Sequence, residues 1–560
     1  MSGHSHNNEV TLDEAIQRWW AGLAAGQALE RLSGELVALD QASGRITAAP
    51  VWAKVNSPHY RAAAMDGYAA QAHETTGAQP GAPIYLVLDQ QAIPVDTGDP
   101  IPEQYDCVIM REETERADQL FDKQIHPAIV ITNSARSGQH IRRIGEDIQV
   151  DQLILPINHQ LRPVDIGAVA GAGHTHVFVR RQPRIAIVPT GSELVEPGAV
   201  LKPGDIVEYN SLMLAATAQE CGALSTRLPK VADDFDQIKS AVTQAMQTHD
   251  LVIVNAGSSA GREDYTAAVF RALGTVVVQG IAMRPGHPTI LAYADVTLED
   301  HGPERKFRKA LAGIPGYPVS AAITFDRLIK PLLAYWQGQP APQAELQTVV
   351  LTQDVTSSPE QDEFLRVSLG EVDNRVLAMP LPRRAGTIMS LVYADGILHL
   401  PRGHSGYKLG ESVTVARQTS LAQIHETIVA VGDTNRAVEV LMDELCAQNP
   451  ALRMVLHPTN RDPLLVLKCN QAHLAVSHLR YTGEGEYNLP SVQQLLPEYA
   501  VLVVHFVEYE QSALGFMIPL MHYGNRKIER LLEVVRSDAF RQRIHSLGDY
   551  KTDKSGVVIA

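Results

Sequence analysis

The sequence predicts a multidomain α/β protein: a doubly wound parallel sheet domain with a β-rich excursion, a small β-barrel and a single-lobe α/β region at the carboxyl end. The chain has 560 residues, which is too long for one hydrophobic core. From 184 to 335, apolar runs such as "RIAIVP", "DLVIVN" and "TVVVQ" alternate with helical patterns, which is typical of a parallel sheet with crossover helices. From 345 to 417, alternating strands and Gly-rich turns indicate a small barrel.

Composition excludes several classes of protein. With 45% hydrophobic and 20% charged residues, the chain has a soluble composition, and no apolar run reaches the ~20 residues of a membrane span. The opening "MSGHSHNNEV" lacks the features of a secretory signal, so we expect a cytoplasmic protein without membrane partners. A net charge of -15 argues against broad nucleic-acid binding. Four cysteines without C-x-x-C spacing indicate reduced thiols.

Patterns along the chain divide it into five domains. Thr11 and Glu14 have capping-box spacing, so a helix should begin near Thr11. The "QGQPAPQAE" linker at 337–345 marks a boundary. The predicted domains are a helical and strand linker domain (10–50 and 141–180), a β-rich domain (51–140), an α/β domain (181–336), the barrel (345–417) and a final α/β domain (424–560).

Three unusual loops follow strands of the α/β domain, where open parallel sheets bind ligands. They are "PTGSE" at 189–193, "NAGSSAGRED" at 255–264 and "GIPGYPVS" at 313–320. Glycine N–H groups and hydroxyls can cradle a phosphate. Tight turns need glycine anyway, so one such loop is weak support. Three in one domain favour an anion site.

Carboxylates accompany these loops. They are Glu193, Asp233, Asp234 and Asp264. A carboxylate beside a phosphate repels it unless a hard cation such as Mg²⁺ lies between them. The alternative is that these acids cap helices or lie in solvated loops.

Nine motifs in order over about 10–417 resemble the molybdopterin molybdenumtransferase family, which includes the E domain of gephyrin. They are "AAAMDGYA", "DTGDPIPEQYDCVIM", "HIRRIGEDI", "PVDIGAVAGAG", "PTGSELVEPG", "DLVIVNAGSSAGREDY", "MRPGHP", "GIPGYPVSA" and "ADGILHLPRGHSGYKLGE". The resemblance implies a homodimeric transferase of molybdenum cofactor biosynthesis. It would insert molybdenum from molybdate into adenylylated molybdopterin, release AMP and use Mg²⁺.

The resemblance also implies roles for individual residues. Asp66 matches the aspartate that faces the active site from the partner subunit, and Thr97 matches the threonine of a Thr-Gly turn. The acids matching positions for catalysis or Mg²⁺ handling are Asp147, Glu193, Asp264 and one of Asp233 and Asp234. The residues assigned to substrate binding are Thr190, Gly191, Gly257, Ser258, Ser259, Gly261, Arg284, His287, Pro315, Gly316 and Pro318.

The sequence departs from the family pattern at a few positions. The family's Ser-Gly-Gly is replaced here by Asn255-Ala256-Gly257. Its Lys-Pro-Gly-Lys-Pro turn is replaced by Arg284-Pro285-Gly286-His287-Pro288. Tyr317 stands where Asn is common, and Asp99 adds a negative charge after Thr97-Gly98. A second hypothesis therefore stays open: a molybdate, tungstate or molybdopterin carrier or sensor with little or no turnover. The sequence does not choose between molybdate and tungstate, since both tetrahedral dianions suit the same donors.

Residues 424–560 resemble a periplasmic-binding-protein-like domain through "YTGEGEYNLPSVQQLLP" and "LLEVVRSDAFRQRIHSLGDYKTDKSG". The segment is too short for a second lobe, and a ligand cleft needs two walls. We expect a shortened lobe that serves packing, dimer contacts or docking of a protein partner; oxyanion sensing is the alternative.

Overall fold

A computed structural model describes residues 9–121, 124–256, 265–298, 306–457, 462–479, 500–509, 512–548 and 550–559. The chain divides into two compact units. The larger comprises Met1–Leu29, Arg184–Leu332 and Ala341–Ala560, and the smaller comprises Glu30–Pro183 and Leu333–Pro340. Among the described residues, no helix is both long and apolar enough to cross a membrane.

The first helix, α1 (Leu12–Ala25), belongs to the larger unit. The Thr11 hydroxyl accepts a hydrogen bond from the Glu14 N–H at 3.2 Å, which confirms the predicted start. Its apolar face is buried, and the Trp19 indole donates to the Ala292 carbonyl at 2.9 Å. This contact anchors the helix on the α/β domain.

The smaller unit consists mainly of short strands. Its elements are β1 (Gly34–Ala38), β2 (Val51–Trp52), β3 (Ala62–Ala63), β4 (Gly67–Ala70), β5 (Ile84–Val87), β6 (Ala92–Val95), β7 (Cys107–Met110), β8 (Thr114–Phe121), β9 (Gln124–Ile131), β10 (Ile141–Arg142), β11 (Leu153–Leu155), α2 (Pro163–Gly171) and β12 (His176–Arg180). Two three-stranded antiparallel sheets, β6-β4-β7 and β5-β9-β8, form its centre. The segment "PVDIGAVAGAGHTHVFV" forms α2 and most of β12.

A six-stranded sheet organises the α/β domain in the order β16-β13-β17-β21-β20-β18. The elements are β13 (Arg184–Thr190), β14 (Leu194–Val195), β15 (Ile206–Val207), α3 (Asn210–Glu220), β16 (Leu224–Arg227), α4 (Phe235–Thr248), β17 (Leu251–Ala256), α5 (Tyr265–Leu273), β18 (Thr275–Gln279), β19 (Met283–Arg284), β20 (Ile290–Thr297), β21 (Lys306–Pro315), α6 (Pro318–Thr324) and α7 (Lys330–Trp336). Helices α4 and α5 cover one face. Strand β13 also contacts α3, and α3 contacts α6.

The sheet is mixed rather than wholly parallel. Strands β16, β13, β17 and β21 are parallel, as predicted. The "TVVVQ" run, expected as a further parallel strand, is β18 and pairs antiparallel with β20. A parallel pair needs a crossover of about a dozen or more residues. Residues 280–289 connect β18 to β20 without a helix, so the chain returns in the opposite direction.

The predicted barrel is present. Its elements are β22 (Glu345–Leu351), β23 (Val355–Thr356), β24 (Asp362–Val372), β25 (Arg375–Pro380), α8 (Met389–Val392), β26 (Gly396–Leu400), β27 (Gly406–Tyr407) and β28 (Ser412–Arg417). Five strands close a ring in the order β24-β25-β22-β28-β26, with β26 pairing back to β24. Buried aliphatic residues of these strands fill the interior.

The carboxyl-terminal region forms one α/β lobe. Its elements are α9 (Leu421–His425), β29 (Thr427–Gly432), α10 (Arg436–Gln448), β30 (Arg453–His457), α11 (Pro463–Lys468), β31 (Leu474–Leu479), β32 (Val501–Tyr509), β33 (Ser512–Pro519), α12 (Leu520–Tyr523), α13 (Arg526–Arg536), α14 (Asp538–His545) and β34 (Tyr550–Lys551). The sheet order is β30-β29-β31-β33-β32-β34, and β29, β30 and β31 are parallel. Val372, Leu377 and Met379 of the barrel share a buried cluster with this lobe.

Candidate functional site

The three predicted loops begin side by side at one edge of the α/β sheet. Thr190, the last residue of β13, is in register with Ala256, the last residue of β17. Ala256 is in register with Pro315, the last residue of β21. Because the three strands are parallel neighbours, each loop leaves the sheet at the same level. The structure thus brings the starts of the three loops together.

The first loop makes a tight turn after β13. Thr190 is buried, and Gly191 has a φ of 148° and donates its N–H to the Val231 carbonyl at 3.0 Å. A Cβ at Gly191 would lie 3.0 Å from a Glu193 carboxylate oxygen, so this glycine lets the carboxylate fold close to the backbone. Glu193 is half-buried at the rim.

The second loop starts at Asn255, near the end of β17. Asn255 is buried, and its side-chain amide donates to the Pro315 carbonyl at 3.0 Å and to the Ile314 carbonyl at 3.3 Å. The amide therefore ties β17 to the end of β21. The predicted residues Gly257, Ser258, Ser259, Gly261 and Asp264 lie outside the described residues.

The third loop carries the Pro-Gly-Tyr-Pro turn from Pro315 to Pro318. Helix α6 begins at Pro318, and the Gly316 carbonyl accepts a hydrogen bond from the Asn210 side chain at 2.5 Å. Tyr317 is 51% exposed. The Ala385 carbonyl of the barrel accepts the Val319 N–H at 3.1 Å, so a barrel loop borders this turn.

The Arg284-Pro285-Gly286-His287 turn connects the α/β domain to the barrel. Strand β19, which ends at Arg284, pairs with β24 of the barrel, and the Arg284–Pro285 peptide bond is cis. Gly286 has a φ of 117°, and a Cβ there would meet the side chains of Met283 and Thr324. The Arg284 and His287 side chains are exposed, and His287 Nδ1 lies 3.1 Å from the Ile281 carbonyl oxygen. The Arg284 side chain is accessible to an anion, whereas His287 Nε2 lies 3.6 Å from a Glu9 carboxylate oxygen.

The acidic candidates of the α/β domain have different surroundings. Val231 bridges to Thr190, so the segment leading to Asp233 and Asp234 runs beside the first loop. Asp233 is exposed, and Asp234 caps α4 by accepting the Gln237 N–H at 2.9 Å. Among the described residues, no group of three or more His, Cys, Asp or Glu side chains is placed to hold a metal ion. The metal roles of Glu193, Asp233, Asp234 and Asp264 therefore stay predictions.

In the smaller unit, Asp66 and Thr97 are direct partners. One Asp66 carboxylate oxygen accepts the Thr97 N–H at 2.7 Å and the Thr97 hydroxyl at 2.8 Å. These two hydrogen bonds hold the pKa of Asp66 below its usual value, and the positive charge of Arg111 adds to the effect. Asp147 is exposed and follows β10, which pairs with β3 just ahead of Asp66.

Sequence reasoning missed Asn210. An asparagine before a helical pattern indicates an N-cap, but here the cap is Tyr209, and the Asn210 side chain turns towards Gly316. No local pattern could have indicated this contact, because Gly316 lies about a hundred residues further along the chain and meets Asn210 only in the folded structure.

Three families match the chain in order. The MoeA N-terminal region (domains I and II) matches residues 10–173, a probable molybdopterin binding domain matches 186–335, and the MoeA C-terminal region (domain IV) matches 348–417. The carboxyl-terminal lobe lies beyond these matches.

Curated and structural relatives agree with these families. A molybdopterin molybdenumtransferase of Bacillus subtilis is 29% identical over 423 residues, covering 72% of this chain and 93% of the relative. A molybdopterin molybdenumtransferase of Staphylococcus aureus is 26% identical, covering 75% of this chain and 99% of the relative. The crystal structure of a molybdopterin biosynthesis MoeA protein from Pyrococcus horikosii matches with a TM-score of 0.59 and 28% identity, covering 74% of this chain and 100% of that chain.

Proposed function

Because the chain belongs to the MoeA family of molybdopterin molybdenumtransferases, we propose that it inserts molybdenum into adenylylated molybdopterin, a step of molybdenum cofactor biosynthesis. The observation that carries this proposal is the alignment of Thr190, Ala256 and Pro315 at one sheet edge, within the matched molybdopterin binding domain. Molybdate is the substrate that supplies the metal, and AMP is the second product.

The groups at this edge suit phosphate binding. The Gly191 N–H already donates to the Val231 carbonyl, so the exposed Ser192 of the same loop offers the donors, and the exposed Arg284 supplies positive charge. The 257–264 segment would add the Ser and Gly donors expected of a phosphate cradle. Cleavage of the phosphoanhydride requires that the substrate be held in line with an attacking water, so positioning is the main requirement. We assign this positioning to the three loops together.

Mg²⁺ handling is a further part of the proposal. A bound Mg²⁺ would neutralise charge on the phosphates. Within the described residues, Glu193 makes no ion pair and is half-buried in the first loop, so its carboxylate fits the role. Asp234 fits less well, because one of its oxygens caps α4. Asp264 would supply a second carboxylate, and Asp66, Thr97 and Asp147 would complete the catalytic set.

Homodimerisation and a cytoplasmic location belong to the same proposal. The family resemblance supports a dimer in which Asp66 of one subunit serves the site of its partner. The carboxyl-terminal lobe would act mainly in packing, since it shares buried residues with the barrel. Titration of the full chain with molybdate tests this role: binding of a second equivalent per chain would favour an oxyanion sensor.

The decisive assay combines purified protein, adenylylated molybdopterin, Mg²⁺ and molybdate. We expect AMP release together with formation of active cofactor. Tight binding of the nucleotide without AMP release would instead support the carrier or sensor hypothesis. Asp264→Ala should abolish turnover more than binding, whereas full activity in that variant would remove Asp264 from the mechanism.

A further inference from the structure

Asn210 is a buried polar residue beside the Pro-Gly-Tyr-Pro turn. It is the first residue of α3 and is 9% exposed. Its Nδ2 donates to the Gly316 carbonyl oxygen at 2.5 Å. A carbonyl oxygen can only accept, so the amino end of the amide must face Gly316 and Oδ1 must face elsewhere.

The Asn210 Oδ1 atom is buried, and no described residue donates a hydrogen bond to it. Buried polar atoms are almost always hydrogen-bonded, so such an exception requires an explanation. Oδ1 and Nδ2 are bonded to the same carbon atom. Because Nδ2 contacts Gly316, Oδ1 also lies close to the turn. A donor of a bound ligand would satisfy this acceptor.

Two asparagines together hold three consecutive carbonyls of this segment. Asn255 binds those of Ile314 and Pro315, and Asn210 binds that of Gly316. Pro315 and Pro318 have no N–H groups, so the turn has few hydrogen bonds of its own to offer. The two side-chain amides therefore set the position of the turn. Asn255 holds the carbonyls of Ile314 and Pro315, and Asn210 holds that of Gly316 while its own Oδ1 accepts no hydrogen bond from a described residue.

The start of α3 is itself held in place. Glu208 is buried, and its carboxylate accepts the Ser211 N–H at 2.8 Å, the Ser211 hydroxyl at 2.5 Å and the Arg227 guanidinium at 3.2 Å. This network lies on both sides of Asn210 in sequence. Such support fixes the direction in which a site residue points before a ligand arrives.

We infer that Asn210 contacts the substrate: its Nδ2 positions the Pro-Gly-Tyr-Pro turn, and its Oδ1 accepts a hydrogen bond from an N–H or O–H donor of the bound molybdopterin nucleotide. The inference rests on the proposed function. An acceptor oxygen does not attract molybdate or phosphate, which are acceptors too, so the contact is to a neutral donor. The pterin ring and the adenosine both carry such donors.

The test measures binding of two probes, AMP and molybdopterin, to the full chain by anaerobic calorimetry. Asn210→Leu removes both the Nδ2 donor to Gly316 and the Oδ1 acceptor, whereas Asn255→Leu removes only the hydrogen bonds to the Ile314 and Pro315 carbonyls. Gln219→Leu changes an exposed residue of the same helix and serves as the control. Asn210→Ser provides a smaller change should leucine prevent folding, which thermal unfolding reports.

We expect Asn210→Leu to weaken one probe about tenfold more than Asn255→Leu does, and the affected probe identifies which half of the substrate donates. Equal losses for both probes in the two variants would mean that Asn210 only positions the turn, and would overturn the inference. Unchanged binding, or a wild-type chain that binds neither probe, would overturn it as well. AMP release by the wild-type chain tests the proposed function separately, so a selective binding loss without turnover would refute the function alone.

Discussion

Thr97 donates two hydrogen bonds to a single oxygen of Asp66, one from its backbone N–H and one from its hydroxyl. Both bonds stabilise the ionised carboxylate, and the pKa of Asp66 is lowered accordingly. Gly98, with a φ of 96°, completes the tight turn that follows Thr97. The Thr-Gly turn therefore fixes an exposed carboxylate in its charged form.

Replacing Thr97 by valine should raise the pKa of Asp66. The variant loses the hydroxyl bond and keeps the backbone bond, so the pKa returns part of the way to its ordinary value. The Asp66 carboxylate then protonates at a higher pH, and the acidic limb of AMP release should shift towards neutral pH if ionised Asp66 is needed. Carbon NMR of the labelled carboxyl group measures the pKa directly, with Asp66→Asn identifying the signal.

Thr97→Ser should retain the wild-type titration, because serine supplies the same two donors. Thr114→Val removes a hydroxyl that bonds the Arg111 carbonyl instead, and it serves as the matched control. An Asp66 pKa that is the same in Thr97→Val and the wild type would contradict the role given to the hydroxyl.

Glu193→Gln should increase the Mg²⁺ concentration needed for half-maximal AMP release by roughly tenfold, because one anionic oxygen ligand becomes neutral. Glu196→Gln, three residues further along the chain, removes an exposed partner of Arg227 at 3.5 Å and should leave the Mg²⁺ requirement unchanged. Equal Mg²⁺ requirements in the two variants would exclude Glu193 as a cation ligand.

Local patterns were enough to predict the edge of the α/β sheet but not the contacts across it. The loops after Thr190, Ala256 and Pro315 follow apolar strands, and parallel strands must end at a common edge, so their proximity was predictable. The grip of Asn210 on Gly316 depends on how α3 packs against α6, which no local pattern encodes. The antiparallel direction of β18 was missed because an apolar run has the same pattern in either direction.

The stability of the carboxyl-terminal lobe should fall as pH falls below about 6.5. Burial lowers the pKa of His473 to about 2, with the positive charges of Lys527 and His522 adding to the effect, and burial lowers the pKa of His457 to about 4. Below the unfolded pKa of about 6.5, the unfolded chain binds protons that the native state does not. Each histidine then removes about 1.4 kcal/mol per pH unit until its native pKa is reached.

His473→Gln should reduce the slope of unfolding free energy against pH by the contribution of one histidine, about 1.4 kcal/mol per pH unit. Urea unfolding of the lobe between pH 7.5 and 4.5 measures the slope, with tryptic digestion reporting on which part unfolds. His545→Gln changes an exposed histidine of the same lobe and controls for the substitution itself. A slope that is unaffected by His473→Gln would show that this imidazole is protonated in the native state.

Gly370 lies where the barrel packs against the carboxyl-terminal lobe. A Cβ at this position in β24 would lie 2.4 Å from Val429 Cγ2 in β29, well inside van der Waals contact. Lys527 strengthens the same junction, because its buried ammonium donates to the carbonyls of Glu371, His425 and Thr427. The lobe is thus built onto the barrel through a junction that has no room for one additional methyl group.

Gly370→Ala should therefore destabilise the junction by about 1–3 kcal/mol, the usual cost of overpacking a core. The double variant Gly370→Ala with Val429→Ala should recover part of that loss, because removing the valine methyls makes room for the new one. Gly524→Ala is the matched control, since a Cβ there meets nothing within 4 Å. Urea unfolding of the wild type, the two single variants Gly370→Ala and Val429→Ala, and the double variant gives the coupling free energy. Losses that simply add in the double variant would mean that barrel and lobe do not share a tightly packed core, and the packing role of the carboxyl-terminal lobe would have to be abandoned.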